Sequence, residues 1–65
     1  MKPRDAIRLL EADGWHEVRA KGSHRQFRHP LKPGLVTVPV HGARDLKPGT
    51  LASLERQSGV KMRKV

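Results

Sequence analysis

Apolar side chains recur along this chain with two different periods, and the switch between them lays out five elements. Ala6, Ile7 and Leu10 fall at one-face helical spacing with Leu9 flanking the stripe, while Asp5 and Glu11 point elsewhere. Pro3 suits a first helical position and Gly14 can adopt the left-handed cap, so the spacing predicts a helix over 3–13, with Trp15 folding back onto its stripe. From 16 to 21 the pattern loosens to alternation, Val18 and Ala20 against Glu17, Arg19 and Lys21. Gly22-Ser23 marks a turn, and 24–29 reads as a second strand whose one strongly apolar member is Phe27. Two prolines and a glycine within 30–34 signal a reversal. The run 35–40 is the best strand, with Val36, Val38 and Val40 on one face and Pro39 marking an edge or an end. After a polar loop over 41–47, Pro48 opens a second helix to about residue 58, with Leu51 and Leu54 inward and Gly59 as cap.

The order is therefore α-β-β-β-α. Each helix carries one apolar stripe and each strand one apolar face, so an α+β fold is expected, with both helices on one face of a three-stranded antiparallel sheet. The expected core is Ile7, Leu9, Leu10, Trp15, Val18, Phe27, Val36, Val38, Val40, Leu46, Leu51 and Leu54. Residues 1–60 make one domain, and 61–65, with Lys61, Arg63 and Lys64, a short basic tail expected to fray. A chain this short buries only about 60% of the surface its unfolded form exposes, so stability is modest. There is no cysteine, hence neither a disulfide staple nor a thiolate metal site. No apolar run approaches a membrane span or a signal-peptide core, so the expectation is a cytoplasmic protein without a membrane partner.

Charge changes the picture from fold to partner. Fourteen Lys and Arg oppose six Asp and Glu, a net +8. No acidic residue occurs from Val18 to Arg44, whereas Arg19, Lys21, Arg25, Arg28, Lys32 and Arg44 all fall there. A positive field concentrated in one segment attracts polyanions. Anionic lipid would favour a basic helix with a large apolar face, and these cations lie on strands instead. Nucleic acid is the better match.

Alternation along the strands then sorts the candidate chemistry. With Phe27 in the core, Arg25 and His29 share its side, close enough to strand ends to reach solvent, while His24, Gln26 and Arg28 face the open side. The same parity sends Arg19, Lys21 and Thr37 outward. The result is His24 among cations, directly after a Gly-Ser turn. Histidine can take and return a proton near neutral pH, cations can hold a phosphate, and RNA brings its own nucleophile, the ribose 2′-hydroxyl. A base plus cations suffices for transesterification without a metal or cofactor. The other histidines have plainer readings: His16 on a strand surface, His29 shaping the turn before Pro30, His41 opening a loop where it can contact phosphate. No histidine pair has the helical spacing of hydrolytic zinc motifs, and the carboxylates do not cluster for a two-metal site. Nor is there a serine or cysteine triad or a phosphate-cradling glycine loop.

The run Gly14 to Pro30, GWHEVRAKGSHRQFRHP, resembles the HicA toxins, small RNA-cleaving proteins of bacterial toxin–antitoxin pairs. The similarity continues through Gly34-Leu35-Val36-Thr37-Val38-Pro39, His41, Leu46, Gly49-Thr50-Leu51 and Gln57-Ser58-Gly59, and so covers nearly everything but the tail. It implies a fold like that of double-stranded-RNA-binding domains, in agreement with the order above. It also implies metal-independent cleavage of messenger RNA, growth arrest, and neutralisation by a HicB-type antitoxin covering the active face. The family's catalytic histidine follows the Gly-Ser turn, which is His24 here. Members often carry a second histidine directly after it, where this chain has Arg25, a position suited to a phosphate-binding cation.

The expected site is then His24 as general acid or base, with Arg19, Lys21, Ser23, Arg25, Arg28 and Lys47 contacting RNA, no metal, and a monomer when free of antitoxin. The alternative is a non-catalytic double-stranded-RNA-binding module using the same cations. Only two aromatics, Trp15 and Phe27, are present, and with both in the core base stacking is scarce. A third reading, a regulatory partner of a larger acidic protein, also suits the charge and overlaps with antitoxin masking.

Overall fold

In the computed structural model, which describes residues 1–63, helix α1 spans Pro3–Ala12, strands β1, β2 and β3 span His16–Lys21, His24–Arg28 and Val36–Pro39, and helix α2 spans Pro48–Ser58. The strands form one antiparallel sheet in the order β1-β2-β3. Buried residues of both helices (Ala6, Ile7, Leu10, Leu51, Leu54) join Trp15, Phe27, Val36, Val38, Leu46 and Met62 in a single cluster, which leaves the other face of the sheet open. No helix among the described residues is long and apolar enough to cross a membrane.

The ends of α1 follow from local chemistry. Pro3 sits in the first turn, where its missing N–H costs nothing. At the other end Gly14 has φ +106°, its N–H donates to the Glu11 carbonyl, and the Trp15 N–H donates to the Leu10 carbonyl, both at 3.0 Å. This paired closure satisfies two orphan carbonyls and drives the Trp15 ring back under the helix. The helix stops at Ala12 rather than residue 13 because Asp13 is the cap. Likewise β2 ends one residue before His29, whose side chain serves the following turn, and β3 is confined to Val36–Pro39.

Three expectations about the core and one about the tail need correction. Leu9 is 36% exposed, because the stripe that meets the sheet is Pro3, Ala6, Ile7 and Leu10. Val18 is 48% exposed, because the β1–β2 register slips between Glu17 and Arg19 and leaves Val18 without a partner at a bulge. Val40, just beyond β3, is only partly buried. The residues after α2 are not frayed as far as Arg63: Met62 is 5% exposed, and the N–H groups of Met62 and Arg63 donate to the Glu55 carboxylate at 2.8 and 2.9 Å. Those two bonds hold the Glu55 carboxyl far below its ordinary 4.5, at about 2. Lys64 and Val65 lie outside the described residues.

Candidate active site

The bulge at Val18 decides which β1 side chains reach the open face. Partners directly opposite in an antiparallel pair share a face. Glu17 pairs with Phe27 and Ala20 with Arg25, so both stand on the helix side, while Arg19 pairs with Gln26 and Lys21 with His24 on the open side. Simple alternation sends Glu17 outward with Arg19; the extra residue reverses it. The consequence is chemical, because it removes the one carboxylate that would have stood among the cations. Glu17 instead accepts from Arg25, whose Nε donates to both carboxylate oxygens at 3.2 Å. The guanidinium hydrogen bond lowers the Glu17 carboxyl below the usual range and raises Arg25.

The open face then consists of three rows across the sheet. Lys21, His24 and Pro39 lie in one, Arg19, Gln26 and Thr37 in the next, and His16 and Arg28 in the third. None of these residues is acidic. His24 is exposed at the first position of β2, immediately after the two-residue turn Gly22-Ser23. Gly22 has φ +58°, the conformation that the first position of a tight hairpin turn of this kind requires. The turn is braced from β3, because the Val40 N–H donates to the Ser23 carbonyl at 2.6 Å.

Of the residues expected to contact RNA, Arg19, Lys21 and Arg28 share the face of His24, and none of them forms an ion pair among the described residues. Ser23 adjoins His24 in the turn. Arg25 is not brought to that face; it pairs with Val38 on the helix side and is committed to Glu17. Lys47 caps α2 and lines a groove with Pro39, His41, Arg44, Asp45, Leu46 and Thr50. The loop carrying those groups is tied to the N-terminus. Lys2 Nζ donates to the Ala43 carbonyl at 2.7 Å and pairs with Asp45 at 3.2 Å, and the Leu46 N–H donates to the Met1 carbonyl at 2.8 Å. The sequence pattern does not reveal this clamp, since residues 41 to 45 positions apart carry no joint signal. Among the described residues, no three of His, Cys, Asp and Glu converge as a metal-ligand group.

His29 has a different role. Its Nε2 lies 2.6 Å from the Asp13 carbonyl, and its Nδ1 accepts the N–H groups of Leu31 and Lys32 at 3.0 and 3.2 Å. Two donors aimed at Nδ1 require that nitrogen to be unprotonated, so the hydrogen sits on Nε2 and both ring nitrogens are consumed. The ring also meets Trp15 edge-on, centroids 5.2 Å apart. His29 therefore knits the β2–β3 turn to the end of α1, beside the open face and not part of it.

The family model for the HicA toxin of bacterial toxin–antitoxin systems matches residues 3–60. The chain belongs to the HicA toxin family. The match runs from the first residue of α1 to the residue after Gly59, so it takes in the whole αβββα frame and the GSH turn. Comparison with the curated proteins gives no match. As a HicA toxin, the chain is one half of a toxin–antitoxin system and implies a cognate antitoxin partner.

Proposed function

We propose that this chain is a metal-independent endoribonuclease that cuts messenger RNA in the cytoplasm, using His24 for proton transfer. The observation that carries the reading is an exposed histidine in register with Lys21, on a sheet face that also bears Arg19 and Arg28 and no carboxylate. In the proposed reaction the His24 imidazole takes the proton of a ribose 2′-hydroxyl. The freed oxygen attacks the adjacent phosphorus, and the 5′-oxygen leaves. Lys21 and Arg19 stabilise the charge that builds on the phosphoryl oxygens. The products are a 2′,3′-cyclic phosphate and a 5′-hydroxyl. A HicB-type antitoxin silences the free, monomeric toxin by covering the open face, where a partner with acidic groups meets uncompensated cations.

The test is digestion of RNA in EDTA, comparing wild type with His24→Ala and analysing the 3′ ends. The expected outcome is cleavage ending in cyclic phosphate and a roughly 10²–10⁴-fold loss in the variant. A substrate with 2′-deoxyribose at the cut site should resist. Unchanged activity in His24→Ala, or equal cutting of the deoxy substrate, would sink the reading. Trp15 and Phe27 are both buried, so the open face offers no Trp, Tyr or Phe for base stacking.

A further inference from the structure

We infer that His41 delivers the second proton of the reaction, to the departing 5′-oxygen, an inference that rests on the ribonuclease reading above. Cleavage by the 2′-hydroxyl moves two protons: one leaves the nucleophile and one must reach the leaving alkoxide. The attacking and leaving oxygens stand on opposite sides of phosphorus in an in-line displacement. An imidazole placed against the 2′-oxygen therefore faces away from the 5′-oxygen in the same step, so a second group at a different place on the surface is needed.

The fold leaves one histidine for that place. Both ring nitrogens of His29 are occupied and its side chain is 7% exposed. His16 is in register with Arg28, four residues along β2 from His24, a separation of about 13 Å at the usual rise per residue. His41 is close. His24 is opposite Pro39, and the Ser23–Val40 hydrogen bond carries the pairing one residue past the end of β3. Continued by one more residue, that pairing makes His41 a diagonal neighbour of His24, a relation that in a ladder spans about 7–8 Å and is within reach for two rings. That spacing suits a phosphate held between two imidazoles.

The surroundings of His41 suit the same task. It is exposed, and it starts a turn closed by the Arg44 N–H on the His41 carbonyl at 3.2 Å. It lines a groove of about 290 Å³ with Pro39, Arg44, Lys47 and Thr50. Pro39 belongs to both places, in register with His24 on one side and walling the groove on the other. The acidic group at the groove, Asp45, is paired with Lys2, whereas Arg44 and Lys47 have no ion-pair partner among the described residues. A phosphate seated over Pro39 thus has His24 on the sheet side and His41 on the loop side, with Arg44 and Lys47 behind it. In the step, the 2′-O–H proton goes to His24, the new P–O2′ bond forms as the P–O5′ bond breaks, and the His41 N–H proton goes to O5′. Solvent then restores both histidines.

Two RNA oligonucleotides with the same cut site separate this from a binding or structural role, one natural and one with sulfur replacing the bridging 5′-oxygen. A thiolate departs without needing a proton, so only the natural substrate needs the acid. His41→Ala and His41→Gln should lose about 10²-fold or more on the natural RNA and recover to within a few-fold of wild type on the sulfur RNA. His24→Ala should stay slow on both, and Lys21→Ala should fall by the same factor on both. Equal losses for the His41 variants on the two substrates, or no loss on either, would overturn the inference while leaving His24 in place. Wild-type rates for His24→Ala on both would instead remove the reading on which it rests.

Discussion

Among the four histidines, surroundings rather than residue type separate the roles. His24 and His41 are exposed, while His29 spends both ring nitrogens on backbone groups and packs on Trp15. Replacing His29 by alanine removes a ring from the packing and strands a carbonyl and two N–H groups, a cost of about 3–5 kcal/mol. A 65-residue domain has on the order of 3–10 kcal/mol in total, so His29→Ala should lose most or all of its urea-unfolding transition. His24→Ala should keep its urea midpoint within error, as exposed substitutions usually do. A His29 variant that unfolds normally would show that the ring carries little of the fold. Gly14 is bound to the same arrangement: a Cβ there would lie 2.8 Å from His29 Nε2, on a backbone at φ +106° that side chains rarely adopt.

At the scale of elements, helix limits and strand order were legible because caps, prolines and alternation are local signals. Parity alone groups His24, Arg19, Lys21 and Arg28 on one face, and the register agrees. Glu17 and Val18 were misassigned because a bulge adds a residue without any mark in composition, and every residue before it changes face. Met62 was missed because one apolar residue in a basic stretch has no periodicity; what anchors it is a carboxylate seven positions back. That anchor has a measurable pH signature. Glu55 is held at about 2 in the folded chain against an ordinary 4.5, so the unfolded chain takes up the proton first as pH falls. Its contribution is complete above about pH 4.5 and disappears as pH drops toward 2. Asp13, lowered by its Lys32 hydrogen bond, and Glu17, lowered by Arg25, act in the same direction. Denaturation midpoints should therefore decline below about pH 4.5, and Glu55→Gln should flatten part of that decline; an unchanged profile in the variant would count against the anchor.

The whole molecule divides its cations into two jobs. Lys32 reaches the Asp13 carboxylate at 2.6 Å and the Ser58 carbonyl at 3.0 Å, so one ammonium holds the C-terminal ends of both helices, where helix dipoles favour positive charge. Arg25 and Lys2 are likewise spent within the fold, whereas Arg19, Lys21 and Arg28 stay available on the open face. Salt dependence should tell the groups apart. Each of Arg19→Ala, Lys21→Ala and Arg28→Ala should shrink the log–log salt slope of single-stranded RNA binding by about 0.7, the value of one lost phosphate contact. Arg25→Ala should leave that slope alone and lower stability. An Arg25 variant with a reduced slope would place its guanidinium on RNA after all.

The bulge in β1 has one more consequence, for crowding. A three-stranded open sheet has two free edges, and an unguarded edge recruits strands from neighbouring molecules. Here one edge is kinked at Val18 and followed by Arg19 and Lys21, and the other is four residues long and ends in a proline with no N–H to offer. Neither is a ready template for further strand pairing. An antitoxin that relied on extending the sheet would thus meet two poor edges.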